Sequence, residues 1–184
     1  FGPLAVAMMN GDVYLADEYD RAPPEVNSIY QAVLEGQPLF IPDAPAGMRL
    51  INPAPGFAFV ATGNTNGTGD ETGNHIASQV QDSANYERFV ITQEVGYPPL
   101  EVEREMLIKK AGMSKEYADQ LLNFAGKIRA KYPTEISKTI GPRVLLNIAK
   151  IGAIRANYVK GVELAFASRL SSIEKQSVME TANR

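Results

Sequence analysis

The pattern of apolar residues changes at Pro98-Pro99, and this change limits the possible folds more than any other feature. Before it, short apolar runs alternate with segments that carry helix signals; the runs are Val13–Ala16, Phe57–Thr62 and Phe89–Thr92. Such runs are typical of strands buried on both faces of a parallel sheet. After it, only helix signals follow. The sequence therefore predicts an α/β domain over residues 1–97 and an all-α domain over residues 98–184.

Turn and cap residues divide the first domain further. We predict helices from Pro3 to Met9, from Pro23-Pro24 to Gly36, and from about His75 to Tyr86. The second of these has one apolar face, made of Val26, Ile29, Tyr30, Val33 and Leu34. Two further apolar runs flank a turn rich in proline, which predicts a hairpin; they are Leu39–Ile41 and Met48–Ile51. The residues between Gly63 and Gly73 are rich in Gly, Asn and Thr, and we expect a loop there.

The second domain carries clear helix boundaries. We predict helices at Leu100–Ala111, from a Ser114 cap to Lys131, and from Gly141-Pro142 onward. A capping box at Ser171–Glu174 predicts the last helix. The result is a small helical bundle.

Charge also separates the two parts. Residues 1–100 contain three arginines, no lysine and 12 acidic residues, whereas residues 101–184 contain 15 basic and nine acidic residues. The two parts have different roles, or each simply has a solvated face of one sign. Because no basic stripe is interleaved with aromatic residues, we do not expect a nucleic-acid motor.

Composition excludes several other classes. No apolar run approaches the roughly 20 residues of a membrane span, and Phe1 is not followed by a leader-like pattern. The absence of cysteine excludes a disulfide framework and cysteine-ligated zinc, and the single His75 excludes a histidine-rich metal site. We therefore expect a cytoplasmic protein without a membrane partner.

Two acidic residues directly follow the first apolar run. A carboxylate at the carboxyl end of a buried parallel strand lies where nucleotides bind in open α/β sheets. Asp17 would hold Mg²⁺ through its waters, and Glu18 could orient or deprotonate an attacking water. The alternative is that both are solvated residues at the end of a strand.

Asn64 follows the second buried run, in a position that suits a short polar group acting on water or the γ-phosphate. The alternative is an ordinary loop asparagine. The Gly63–Gly73 loop lacks a Gly-Lys-Ser/Thr ending and is therefore not a Walker A loop, and Gly126-Lys127 fails in the same way because Ile128 follows.

Two arginines also stand out. Arg88 is the only cation between residues 50 and 103, and a salt bridge to one of the many carboxylates is the alternative to a functional role. Arg143 follows Gly141-Pro142 at the start of a predicted helix.

Several motifs resemble a known family and occur in its order. Gly2-Pro3-Leu4, Val13–Glu18 and Asp20–Glu25 resemble the Walker B region of AAA+ ATPases of the MoxR group. A second set resembles the ATPase subunit of cobalt chelatase and its phage-encoded relatives; it comprises Ala61–Thr65, Gly67, Gly69-Asp70, Thr72-Gly73 and Ala84–Phe89. The resemblance covers most of the chain.

The resemblance implies a role for each candidate residue. Residues 1–97 would be the C-terminal part of an AAA+ P-loop core, with Asp17 and Glu18 in Walker B, and residues 98–184 would be a helical lid. Asn64 would be sensor 1, Arg88 an arginine finger that reaches the nucleotide of a neighbouring subunit, and Arg143 sensor 2. Arg21 matches the arginine after the Walker B acid, without a defined role.

It also implies ATP and Mg²⁺, a hexameric ring and a partner with a von Willebrand A domain. ATP hydrolysis would drive remodelling of that partner or of a metal-insertion complex. The Walker A loop would lie upstream of Gly2, in a longer version of the protein or in another chain, and these 184 residues alone would be inactive. The alternative is an interaction module that has lost ATP binding.

Overall fold

The structure is a computed structural model that describes residues 1–70, 73 and 75–183. It divides into two compact units, Phe1–Gln93 and Glu94–Arg184, each with its own cluster of buried apolar residues. The described residues are mostly helical, with a small parallel sheet in the first unit. The assignment of the units as an AAA+ core and a lid stays a prediction.

Helix α1 and all the predicted strands of the first unit except the one at Phe89–Thr92 form where the sequence predicts them. Helix α1 spans Pro3–Asn10, and Gly11 ends it in the left-handed conformation at φ 77°. The strands are β1 (Val13–Ala16), β2 (Leu39–Phe40), β3 (Leu50–Ile51) and β4 (Ala58–Ala61). Strands β2 and β3 form the predicted hairpin, while β1 and β4 pair in parallel, with Ala16 opposite Ala61.

The expectation that these strands are buried on both faces is wrong. In β1 and β4, partly buried residues alternate with exposed ones, and Val13 and Leu15 are 64% and 54% exposed. The covered face carries Tyr14 and Phe59, whose ring centroids lie 5.2 Å apart. Helix α1 and an aromatic cluster cover that face; the cluster consists of Tyr14, Tyr19, Tyr30, Phe59, Tyr86 and Phe89.

The second predicted helix is broken into short pieces. Helix α2 (Pro24–Asn27), a 3₁₀ turn (Ser28–Tyr30) and helix α3 (Gln31–Leu34) follow one another. Of the predicted apolar face only Val33 is fully buried, because the polar Asn27 takes a buried position and donates to the carbonyl of Tyr19 at 2.8 Å.

Two predictions near the end of this unit are wrong. Only Ser83–Tyr86 of the helix predicted from His75 is formed, as α4. The preceding amides are used elsewhere, since Gln79 donates to the Asp20 carbonyl and Gln81 to that of Gly67, both at 2.8 Å. No strand forms at Phe89–Thr92, because these residues pair with no other strand in the described part of the chain.

The second unit is all-helical. Its helices are α5 (Leu100–Ala111), α6 (Lys115–Lys131), α7 (Pro142–Ile154), α8 (Tyr158–Ala165) and α9 (Ser172–Ala182). The predicted caps are confirmed: the Ser114 hydroxyl accepts from the Tyr117 amide, and Ser171 and Glu174 form a capping box. Helix α8 was not predicted; its N-cap is Asn157, whose side chain accepts from the Lys160 amide.

Helices α7 and α8 approach each other closely enough that glycine is required. A Cβ atom on Gly161 would lie 2.5 Å from the carbonyl oxygen of Ile148. A Cβ atom on Gly152 would lie 2.3 Å from the Tyr158 ring. No side chain larger than hydrogen fits at either crossing point without a shift of backbone or ring.

A buried ion pair joins α5 to α6. Arg129 donates from both terminal nitrogens to the Glu103 carboxylate, at 2.8 and 2.7 Å, and Glu103 has no exposed surface. Arg129 Nε donates to the Ile140 carbonyl at 2.8 Å, and the Tyr97 ring lies 3.9 Å from the guanidinium carbon. Every charge of this pair therefore has a hydrogen-bond partner.

Candidate functional site

The candidate site lies at the carboxyl ends of β1 and β4. Because these strands are parallel and Ala16 faces Ala61, the residues that follow each strand meet at one edge of the sheet. The Thr62 hydroxyl donates to Asp17 Oδ1 at 2.5 Å and accepts from the Glu18 amide at 3.0 Å. The carboxylates of Asp17 and Glu18 belong to exposed residues. One hydroxyl thus contacts both predicted acidic residues.

Glu18 has an unusual backbone conformation. Its dihedral angles, φ 54° and ψ 44°, are in the left-handed region, which costs a non-glycine residue of order 1–3 kcal/mol. The neighbouring Tyr19 amide donates to the Thr62 carbonyl at 2.7 Å, which fixes the chain on the far side of Glu18. The Glu18 carboxylate forms an ion pair with Arg21, and both side chains are about half exposed.

Asp20 connects this turn to the loop that carries Asn64. Its Oδ2 atom accepts from the amides of Asn64 and Thr65 and from the Thr65 hydroxyl, each at 3.0 Å. Asp20 has no exposed surface. The backbone of Asn64 is therefore fixed relative to the Asp17–Glu18 turn, while the Asn64 residue itself is exposed.

The electrostatics around Asp20 favour its charged form. Burial raises the pKa of Asp20, but the hydrogen bonds that Asn64 and Thr65 donate outweigh burial and lower the pKa below its usual value. Burial, followed by the charge of Asp20, raises the pKa of Tyr86. The loop is thus organised around a buried carboxylate that stays ionised at neutral pH.

Buried amide side chains support the same turn. Gln81 Nε2 donates to the carbonyls of Asp20 and Ala22 at 3.3 and 2.9 Å, and its Oε1 accepts from Asn27 at 2.9 Å. Because buried polar groups that are paired in this way resist rearrangement, the turn after β1 has a rigid base.

Arg88 is held within the first unit. Its Nε donates to Glu35 Oε1 at 2.6 Å, and Nη1 donates to the Ala84 carbonyl at 2.5 Å. The side chain is 27% exposed. Asp17, Glu18 and Asn64 are therefore brought together, whereas Arg88 contacts none of them.

Arg143 lies in the first turn of α7 in the second unit and is exposed. Within the described residues it makes no hydrogen bond or ion pair, and the first turn of α7 contains no acidic side chain and no side-chain cap. The helix dipole disfavours a cation at a helix N-terminus. The combination of arginine with free backbone amides suits an anion.

The residues present fit Mg²⁺ that is shared with a nucleotide. Among the described residues, no three His, Cys, Asp or Glu side chains are grouped as a protein-only metal site. Nucleotide-bound Mg²⁺ needs only one or two carboxylates, because phosphates and waters supply its other ligands. Asp17, exposed and oriented by Thr62, offers one such carboxylate.

Two residues of the site had no role in the sequence analysis. Thr62 was only the end of a strand and Asp20 only part of a motif, and both act on residues 44 or 45 positions away. The one sequence feature that could have identified them is that both are polar residues close to the end of an apolar run. Thr72, part of the predicted motif, lies outside the described residues.

No helix in the described part of the chain combines the length and the apolar character that a membrane crossing requires.

Comparison with known proteins gives two matches. Residues 103–182 match the family model described as CbbQ/NirQ/NorQ C-terminal, which falls within the second unit. Over its whole length the chain is 27% identical to a Sinorhizobium sp protein described as aerobic cobaltochelatase subunit CobS. The chain spans 56% of the length of that relative.

Proposed function

We propose that the protein carrying this chain is a MoxR-type AAA+ protein that hydrolyses ATP, on the premise that residues 103–182 match the CbbQ/NirQ/NorQ C-terminal family model. The predicted relationship to the MoxR group is confirmed. The chain would supply the Walker B, sensor 1, arginine-finger and sensor 2 elements. Because the 184 residues contain no Gly-Lys-Ser/Thr sequence, the phosphate-binding loop would come from residues outside them.

One observation carries the proposal. Thr62, at the carboxyl end of β4, bonds to both acidic residues at the carboxyl end of β1. This edge of a parallel α/β sheet is where nucleotides bind. Asp20 fixes the backbone of Asn64 at the same edge. Asp17, Glu18 and Asn64, whose side chains are of the kinds that phosphoryl transfer uses, therefore all follow the carboxyl ends of the two paired strands.

Each candidate site residue has a distinct proposed role. Asp17 would hold Mg²⁺ through water, and the bound metal ion would neutralise phosphate charge. Glu18 would orient the attacking water and accept its proton, and Asn64 would orient that water or the γ-phosphate. Arg143 would approach the γ-phosphate from the second unit; its exposed position in an uncapped helix turn supports an anion as its partner.

Assembly and partner are also part of the proposal. Arg88 would act on the nucleotide of a neighbouring subunit in a ring, which we propose to be hexameric. The description of the relative as a cobaltochelatase subunit supports a role in a metal-insertion complex. Remodelling of a partner protein that carries a von Willebrand A domain would be the other role of ATP hydrolysis.

A nucleotide-independent interaction module is the second candidate. Two ion pairs favour it, because Glu18 is paired with Arg21, and Arg88 with Glu35. In that case the candidate catalytic side chains would serve the fold alone. Binding of ATP by the longest natural form of the protein separates the two candidates.

The test uses Glu18→Gln in that longest form. Gln keeps the shape of the side chain but cannot accept a proton, so ATP should bind with unchanged affinity while turnover falls by about 10²- to 10⁴-fold. Asp17→Ala should instead weaken Mg²⁺-dependent binding as well as turnover. Calorimetry and steady-state ATPase assays measure the two effects.

Glu87→Gln is the matched control, because Glu87 is exposed and lies outside the site. It should leave ATP binding and turnover unchanged. Full ATPase activity in Glu18→Gln would remove Glu18 from the mechanism. Absence of ATP binding by the wild-type protein would favour the interaction module.

A further inference from the structure

We propose that Thr62 is a positioning residue that sets the orientation of both Asp17 and Glu18 through its single hydroxyl. The proposal rests on the proposed ATP hydrolysis and adds a specific determinant of its rate. A hydroxyl can donate one hydrogen and accept others, and Thr62 uses both capacities on the acidic pair.

The backbone of Thr62 is held independently of its hydroxyl. Its amide donates to the Ala16 carbonyl at 3.1 Å, and its carbonyl accepts from the Tyr19 amide at 2.7 Å. These bonds continue the pairing of β1 with β4. Removal of the hydroxyl should therefore leave the sheet in register and disturb only Asp17 and Glu18.

The bond from the Glu18 amide to the Thr62 hydroxyl stabilises the left-handed backbone conformation of Glu18. In the left-handed conformation this amide points toward Thr62, and the hydroxyl is the acceptor that stabilises it there. Without that acceptor, the Glu18 backbone can relax toward ordinary dihedral angles. The direction of the Glu18 side chain changes with them, and the proposed base is displaced from the attacking water.

The bond to Asp17 orients the second carboxylate. The Thr62 hydroxyl donates to Oδ1, so Oδ2 would be the oxygen available to a water of bound Mg²⁺. Hydrogen-bond partners that orient such ligands typically change activity or metal affinity by 10- to 100-fold when removed. Because one hydroxyl orients both carboxylates, its removal should lower the rate of ATP hydrolysis much more than it lowers the stability of the fold.

The experiment compares Thr62→Val with Thr62→Ser in the longest natural form of the protein. Val keeps the shape and loses the hydroxyl, so kcat should fall by about 10- to 100-fold and the Mg²⁺ concentration for half activity should rise, while KM for ATP changes little. Ser keeps the hydroxyl and should restore most of the activity. Thr68→Val, in the following loop and without contact to either acid, is the control and should behave as wild type.

Hydrogen exchange of the Glu18 amide gives a readout that does not depend on turnover. It should be faster in Thr62→Val than in wild type or Thr62→Ser, while thermal stability changes only slightly. If the wild type is active and Thr62→Val has the same kcat and the same exchange rate at the Glu18 amide, the positioning role of Thr62 is overturned but the proposed function is not. A wild-type protein without ATPase activity would overturn the proposed function and, with it, this role.

Discussion

Arg88 donates to Glu35 at 2.6 Å, and this bond connects the segment after α4 to the residue that follows α3. Both side chains belong to the first unit, and Glu35 is half exposed. A partly exposed pair of this kind contributes little to stability. Glu35 therefore offers a way to separate the structural role of Arg88 from a catalytic one.

The first prediction compares Arg88→Ala with Glu35→Gln in the longest natural form of the protein. If Arg88 acts on a neighbouring nucleotide, Arg88→Ala should lower turnover by about 10³- to 10⁵-fold with little effect on ATP binding. Glu35→Gln breaks the same ion pair but leaves the arginine, so its turnover should stay near that of wild type. Steady-state ATPase assays and thermal melts measure both variants.

Action across a subunit boundary needs a separate mixing experiment. Subunits with Arg88→Ala and subunits with Glu18→Gln should each be nearly inactive, yet mixed rings contain some interfaces with both residues intact. Activity should then partly return. Lack of recovery in rings shown to be mixed would limit Arg88 to its own subunit, and equal losses in Arg88→Ala and Glu35→Gln would assign it to the ion pair.

The second prediction concerns acid stability through Asp20. Its folded pKa lies below the unfolded value of about 3.9, so its contribution to stability is complete above that value and is lost as the pH falls through the folded pKa. Asp20→Asn should lower the free energy of unfolding by about 1.5–3 kcal/mol at pH 7, because bonds to a charged acceptor are replaced by weaker ones.

Urea denaturation at a series of pH values checks this expectation. The difference between wild type and Asp20→Asn should shrink below pH 4. Asp43→Asn removes an exposed carboxylate outside the site and should change stability little at any pH. A constant difference between Asp20→Asn and wild type across the whole range would show that the charge of Asp20 is irrelevant.

The third prediction addresses the buried pair of Glu103 and Arg129. Glu103→Ala leaves the guanidinium buried without its carboxylate and should cost about 3–5 kcal/mol of unfolding free energy. The double variant Glu103→Leu/Arg129→Met removes both charges and should recover much of that loss. Denaturation curves of wild type and both variants provide the measurement.

The exposed pair of Glu105 and Lys109 on the same helix is the control. Glu105→Gln should have no measurable effect on stability, since solvent screens that pair. A small effect of Glu103→Ala, similar to that of Glu105→Gln, would mean that water replaces the lost carboxylate.

Local signals were sufficient for most helices of the second unit. Ser114 and Ser171 cap their helices through neighbours three residues away, and Gly141-Pro142 sets a helix start within two residues. The same kind of signal existed for α8 at Asn157 and was missed. Where an element boundary depends on adjacent residues, the sequence is enough to predict it.

Long-range contacts explain the failures. The amides of Gln79 and Gln81 bond to residues far away in the chain and so do not continue a helix, although the local pattern predicts one. Asp17, Glu18 and Asn64 could be proposed from the ends of apolar runs. The roles of Thr62 and Asp20 could not, because they depend on the register of β1 against β4 and on the path of the loop that follows.

The glycine contacts between α7 and α8 have a mechanical consequence. With the backbone of Gly161 against that of α7, neither helix can slide or roll past the other without a collision of main-chain atoms. We therefore expect α7, which carries Arg143 in its first turn, and α8 to move together as one rigid pair. A displacement of Arg143 should then reach α9, which packs against α8, without being absorbed by side-chain rearrangement at the crossing.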